Sequence, residues 1–212
     1  DTAAATRAGV AVVYAAGSQY SAVAEHALGL MLSLAKRIGF ADRQMHQTKR
    51  FQPRELYTGD GWPGFPQEID RKTVVILGFG FIGRDLARKC RTAFDMQVLA
   101  YDPYFDPIEA ERQGVRLVRR KSELRELIAQ GDFVVLCLPL GAETRHIVGA
   151  GELRAMKPGA YLINVSRGGT VDEAALIRAL RDGQIAGAGI DVFDPEPALD
   201  DHPFFSLENT VV

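Results

Sequence analysis

Cysteine is scarce in this chain: 212 residues contain only Cys90 and Cys137. Two thiols cannot form a disulfide framework. The four histidines, His26, His46, His146 and His202, are scattered without metal-ligand spacing, so no metal centre is expected. Both cysteines fall inside apolar patterns and read as buried, reduced thiols of a cytoplasmic protein. Charge of one sign is not in excess either. The formal net charge is -2, which gives no reason to expect nucleic acid or an anionic membrane as a partner. Long hydrophobic runs are missing, since the longest apolar stretches, 27–35 and 133–140, are too short for a bilayer. The opening DTAAATRAGVAVV has no basic segment leading into an apolar one, so no signal peptide is expected. Solenoid repeats and low-complexity tracts are absent as well. What the chain does have is 47% hydrophobic and 25% charged residues, the balance of a globular domain.

The informative stretch is TVVILGFGFIGRDLARKCRTAFDMQVLAYD, 73–102. An apolar run at 74–77 enters Gly78-Phe79-Gly80-Phe81-Ile82-Gly83, a helical pattern follows to about 93, and a second apolar run at 98–101 ends on Asp102. Strand, glycine turn, helix, strand and acid is the order of a dinucleotide-binding unit. Gly78 allows the tight turn, Gly80 lets the backbone approach a pyrophosphate, and Gly83 lets helix and strand pack closely. The free amides at the helix start, at Phe81 and Ile82, carry a dipole worth roughly half a positive charge toward the phosphates. Asp102 follows Gly83 by 19 residues and is placed for the two hydroxyls of an adenine ribose.

Along the rest of the chain, residues 2–7 predict a short helix and 10–14 a short strand. Gly17 and Ser18 open a long helix to about Met45, with Val23, Ala27, Leu30, Met31, Leu34 and Ile38 at helical spacing. Residues 47–70 break the pattern with Pro53, Pro63, Pro66, Gly59, Gly61 and Gly64. They read as a crossover pinned by Trp62, Phe65 and Ile69. Helices are expected at 107–113, 122–130, 152–155 and 172–181, the last with Asp172 as N-cap, and strands at 115–118, 133–138, 160–165 and 185–191. Unbroken apolar strands alternating with helices predict an α/β domain of Rossmann type, a doubly wound parallel sheet with helices on both faces. Residues 1–70 lead into the domain and 71–212 form its dinucleotide-binding core. The ligand crevice is expected at the carboxyl ends of the strands.

Three of those ends concentrate the chemistry. Cys137-Leu138-Pro139-Leu140 offers an apolar lip for an adenine ring, with Thr144 just beyond it. Asn164-Val165-Ser166-Arg167-Gly168-Gly169 puts an arginine on a tight turn, where it suits a clamp on a carboxylate or carbonyl. Val165 and Ser166 are candidate cofactor contacts beside it. Asp191-Val192-Phe193-Asp194-Pro195-Glu196-Pro197 supplies Asp191 as cap or cofactor ligand, and Glu196 in a proline-flanked loop. On spacing alone, Glu196 is as well read as a solvated loop acid.

VAEHAL (23–28), GFGFIG (78–83), NVSRGGTVDEAAL (164–176) and DVFDPEP (191–197) make the chain resemble the cofactor domain of the D-isomer-specific 2-hydroxyacid dehydrogenases. The resemblance implies NAD as cofactor and a small 2-hydroxy or 2-keto acid as substrate. It makes Arg167 the ligand of the substrate carboxylate and Glu196 the partner that charges a catalytic histidine. It gives Asp191 the nicotinamide carboxamide, and it implies a homodimer built through the cofactor domain. In the family that histidine follows an LENTVV-like strand, which places it past Val212. The substrate-binding lobe is likewise expected outside these residues, so the chain alone is expected to bind NAD without turnover. His202, in DDHPFF, is not the catalytic step; His26 is read as a satisfied histidine on a helix packing surface, and His46 and His146 as solvated. Gln19 stands where the family has an asparagine. A non-catalytic, NAD(H)-sensing binding protein of the same fold is the competing expectation.

Overall fold

The computed structural model describes residues 2–13, 17, 19–49 and 65–212. Among these, seven strands form one parallel sheet: β1 (Thr73–Leu77), β2 (Gln97–Tyr101), β3 (Arg116–Val118), β4 (Phe133–Leu136), β5 (Tyr161–Asn164), β6 (Gly187–Ile190) and β7 (Thr210–Val211). Their order is β3-β2-β1-β4-β5-β6-β7. The chain winds outward from β1 to β3, then returns to the other side of β1 at β4. This reversal opens a crevice above the carboxyl ends of β1 and β4, the place where doubly wound sheets take ligands.

The helices are α1 (Thr2–Arg7), α2 (Tyr20–Lys36), α3 (Ile38–Thr48), α4 (Phe81–Phe94), α5 (Pro107–Arg112), α6 (Leu124–Ile128), α7 (Ala150–Ala155) and α8 (Glu173–Arg181). They cover two faces because successive strand side chains alternate. Val74, Ile76, Val135 and Ile163 join a core under α2 and α4 with Leu30, Met31, Leu34 and Leu86. Val75, Leu77, Val134 and Leu162 join a second core with Leu127, Leu153 and Leu176. Asp172 caps α8, accepting from the Ala175 amide at 3.0 Å.

Several expectations from the sequence change. The long helix is two: Arg37 sits in the left-handed region at φ 56° between α2 and α3, its amide donating back to Leu34 and Ser33. An arginine in that conformation carries no glycine or proline signal, so helical spacing alone runs straight through the break. Residues 10–13 form no strand, and Val13 is 91% exposed. Of the crossover residues, Ile69 is buried but Phe65 is 67% exposed, while Trp62 lies outside the described residues. Ser18 and Tyr14 also lie outside them, and α2 starts with Gln19 as N-cap, its side chain making no capping bond. The 122–130 segment is a 3-10 turn at Lys121–Glu123 followed by α6.

Helix α2 is tied to α4 by polar as well as apolar contacts. Asp85 is buried on α4 and accepts from Arg88 at 2.6 Å and from Lys89, whose ammonium also donates to Ser21 of α2 at 3.0 Å. Burial pushes the Asp85 carboxyl up, but the hydrogen bonds from Lys89 and Arg88 outweigh it and hold it below its ordinary 3.8. A depressed carboxyl stabilises the fold above its unfolded value and loses that contribution as pH falls through the depressed one. Asp85→Ala should therefore cost about 2 kcal/mol near neutrality. In urea unfolding, the gap between wild type and variant should narrow as pH falls below 3.8. A gap that is constant with pH would refute the assignment.

Candidate functional site

Strand register builds the site. Leu77 pairs with Tyr101 and with Leu136, Leu136 with Asn164, and Asn164 with Ile190. The next residue on each strand therefore falls in one row along the crevice: Gly78, Asp102, Cys137, Val165 and Asp191. Backbone bonds fix the row, from Gly78 to the Tyr101 carbonyl at 2.8 Å, Cys137 to Leu77 at 2.8 Å and Asp191 to Asn164 at 3.0 Å.

The glycine turn at the head of the row divides its work. Gly78 has φ 96°, and a Cβ there would lie 2.8 Å from the Leu138 amide nitrogen. A Cβ on Gly83 would lie 2.2 Å from the Gly78 carbonyl oxygen, so this glycine is needed for helix and strand to touch. A Cβ on Gly80 would meet nothing within 4 Å. Gly80 is the N-cap of α4 and provides no side-chain cap, which leaves amides at the start of a 14-residue helix available to an anion. Packing explains Gly78 and Gly83 but not Gly80. A pyrophosphate lying against the backbone does explain it, and the turn fits the dinucleotide.

Asp102 is more occupied than its position in the sequence suggests. Its Oδ2 accepts from the Phe79 amide at 2.9 Å, and its Oδ1 from Tyr104 at 2.9 Å and Phe105 at 3.1 Å. A carboxylate has about four acceptor sites. One direction, on Oδ2, stays open for a ribose hydroxyl, where the sequence suggested two. Asp102 thus also ties the glycine turn to the loop after β2.

Two cavities flank the row and share Cys137, Leu138 and Pro139 as a wall. One, of about 430 Å³, adds Gly78, Gly80, Asp102, Arg119 and Thr144. The other, of about 590 Å³, adds Ile82, Leu140, Val165, Ser166 and Arg167. The Thr144 hydroxyl donates to the Pro139 carbonyl and accepts from the Gly141 amide, both at 2.7 Å, which fixes the apolar lip. Phe81 is the exception among the candidate contacts. Its ring is 58% exposed and lies against Tyr20 and Arg84, away from both cavities, so only its amide stays at the helix start. Burial pushes both thiols, Cys90 and the cavity-lining Cys137, up to about 12, so neither is a nucleophile near neutrality.

The turn after β5 holds Arg167 from beneath. Its carbonyl accepts from Asn164 Nδ2 at 3.0 Å and Thr170 Oγ1 at 2.7 Å, and its guanidinium donates to the Ser166 carbonyl at 2.7 Å. Among the described residues no carboxylate pairs with it. Gly168 presses this turn onto the 191–197 loop: a Cβ there would lie 2.0 Å from the Phe193 carbonyl carbon. Glu173 completes the joint, accepting from the Asp194 amide at 3.0 Å and meeting His202 Nε2 at 3.3 Å. His202 is buried in that role, away from the crevice. Glu196 is exposed and accepts from the Phe193 amide at 3.2 Å. His26 is exposed rather than packed, and its Nε2 lies 3.2 Å from Asp191 Oδ1. Sequence reading missed that pair, since no local pattern links a helix residue to a strand end so distant in the chain.

Fold and site together define a dinucleotide-binding domain. Residues 28–212 match the family model for the D-isomer specific 2-hydroxyacid dehydrogenase NAD binding domain, and the chain belongs to that family. It is 38% identical over 211 residues to a D-3-phosphoglycerate dehydrogenase of Archaeoglobus fulgidus, covering 100% of this chain and 37% of that one. It is 39% identical over 213 residues to a glyoxylate reductase of Thermococcus gammatolerans, covering 98% and 60%. The solved structure of the TT0316 protein from Thermus thermophilus superposes with a TM-score of 0.86 at 32% identity, covering 100% of this chain and 62% of that one. The chain thus spans about a third to three-fifths of these relatives. Among the described residues no helix is long and apolar enough to cross a membrane.

The glycines make opposite predictions. Gly83→Ala should lower the melting temperature markedly, since its Cβ would lie inside van der Waals contact of Gly78. Gly80→Ala should change stability by less than about 1 kcal/mol, yet weaken NAD binding by about tenfold or more in a calorimetric titration. Full NAD affinity in Gly80→Ala would take the pyrophosphate off this turn.

Proposed function

We propose that this domain serves an oxidoreductase that moves a hydride between NAD(H) and a small D-2-hydroxy or 2-keto acid. The observation that carries the reading is Arg167: a guanidinium lining the cavity between β4 and β5, its carbonyl held by Asn164 and Thr170, with no carboxylate partner among the described residues. Among those residues Arg119, on the neighbouring cavity, also lacks a carboxylate partner but spends its guanidinium on the Pro103 carbonyl, whereas Arg167 is held on a tight turn at a strand end, which suits an anionic substrate.

In this reading the amides around Gly80 take the pyrophosphate, Asp102 a ribose hydroxyl, and the Cys137–Leu138–Pro139 wall with Thr144 the adenosine. Val165, Ser166 and Ile82 line the nicotinamide side, and Asp191 accepts from the carboxamide. Bound there, NAD supplies the hydride acceptor or donor. Arg167 holds the substrate carboxylate and draws charge from the 2-keto oxygen as it becomes an alkoxide. Glu196, at the surface of its loop, favours the charged form of a catalytic histidine that donates the proton in the reductive direction. The relatives' names, phosphoglycerate dehydrogenase and glyoxylate reductase, bracket the substrate as a short acid with its carboxylate next to the reacting carbon. Two cofactor domains pair as a homodimer in the cytoplasm. Nothing among the described residues favours the non-catalytic sensor.

In the oxidoreductase that carries this domain, Arg167→Ala should lower kcat/KM toward its 2-keto acid by about 10²–10³. Arg167→Lys should recover little of that, because an ammonium cannot form the two-pronged contact. A loss under about tenfold for the alanine variant would remove Arg167 from this role.

Cofactor choice follows from Asp102. Of the two cations that line that cavity, Arg119 already donates twice to the Pro103 carbonyl, at 2.8 and 3.0 Å, and Lys121 donates to the Glu143 carbonyl at 3.3 Å. A 2′-phosphate would meet the Asp102 carboxylate with little to offset it. NADP should bind at least about tenfold more weakly than NAD in parallel titrations, and equal affinities would defeat the argument.

A further inference from the structure

The His26–Asp191 pair is unexplained by stability. Both side chains are about half exposed, 53% and 42%, and their closest approach is 3.2 Å. Ion pairs in that setting contribute little to folding. Helix α2 does not need it, being held to the sheet by Ala24, Ala27, Leu30, Met31 and Leu34, all buried. The pair does fix one thing. Asp191 follows β6 with its amide on the Asn164 carbonyl, in the row of crevice residues, and its carboxylate meets a charged or polar side chain only at His26 among the described residues. His26 Nε2, reaching over from α2, engages Oδ1 and leaves Oδ2 as the open acceptor. With a proton on Nε2 the ring can donate to that oxygen.

We infer that His26 is a positioning residue for the cofactor: it orients Asp191 so that the second carboxylate oxygen faces the amide N–H of the nicotinamide carboxamide. The inference rests on the reading that Asp191 takes that amide. It gives His26 a part in specificity, because a dinucleotide carrying a methyl ketone in place of the carboxamide has no N–H to offer and gains nothing from an aligned acceptor.

The test is a calorimetric titration of this chain with NAD and with 3-acetylpyridine adenine dinucleotide. The ratio of the two dissociation constants is the readout, and melting temperatures are recorded alongside. Wild type should prefer NAD, and Asp191→Ala should abolish the preference. His26→Leu should cut it by about tenfold, leaving affinity for the acetylpyridine compound and the melting temperature as they were. His26→Gln should restore most of it, since its terminal amide places a donor near the former Nε2. An unchanged ratio in His26→Leu, or equal weakening of both compounds, overturns the role of His26 while Asp191 keeps its own. An unchanged ratio in Asp191→Ala overturns the Asp191 reading and the inference with it.

Discussion

Parallel register is the constraint on which everything else depends. Because β2, β1, β4, β5 and β6 pair in step, the first residue beyond each strand falls in one line. A shift of a single residue on β5 would move Val165 out of that line and turn Ile163 from one core to the other, since side chains alternate between faces. Both faces are buried, so the register is held by how each side chain packs in its own core rather than by an apolar–polar alternation. Chemistry at the crevice is thus fixed by packing several residues away from it.

The second constraint joins two loops into one body. Gly168 lies so close to the Phe193–Asp194 peptide that no side chain fits between them, and Glu173 bonds the same peptide from the other side while also contacting the buried His202. Arg145 adds a 3.4 Å contact to Asp194. Arg167 stands on one side of this joint and Glu196 on the other, so their separation is set by backbone against backbone rather than by flexible side chains. That would suit the roles proposed for them on one small molecule.

Much of this was legible in the chain and some of it was not, for physical reasons. The glycine turn, Asp102 and the strand ends could be read because their signals are local: residue type, period and spacing. The break at Arg37 could not, since left-handed backbone at a non-glycine residue is imposed by tertiary packing, and helical periodicity continues across it. Nor could the outward turn of Phe81, which depends on where the first helical residue points. The roles of His202 and Gly168 depend on contacts between segments far apart in the chain. His26 and Asp191 lie at opposite ends of the sequence, and only the stacking of α2 over β6 brings them together.

Asp102 carries a further consequence. One carboxylate gathers the amides of Phe79, Tyr104 and Phe105, so the residue proposed to read the ribose also staples two loops. Exchanging it for an apolar or basic residue to admit a phosphorylated ribose would leave three backbone donors without their acceptor. Cofactor preference in this protein is therefore not a single-letter trait. On the proposed reading it would act as an evolutionary ratchet: a lineage drifting toward the other dinucleotide would first have to rebuild the loop after β2, because Asp102 shapes the glycine turn through the Phe79 amide.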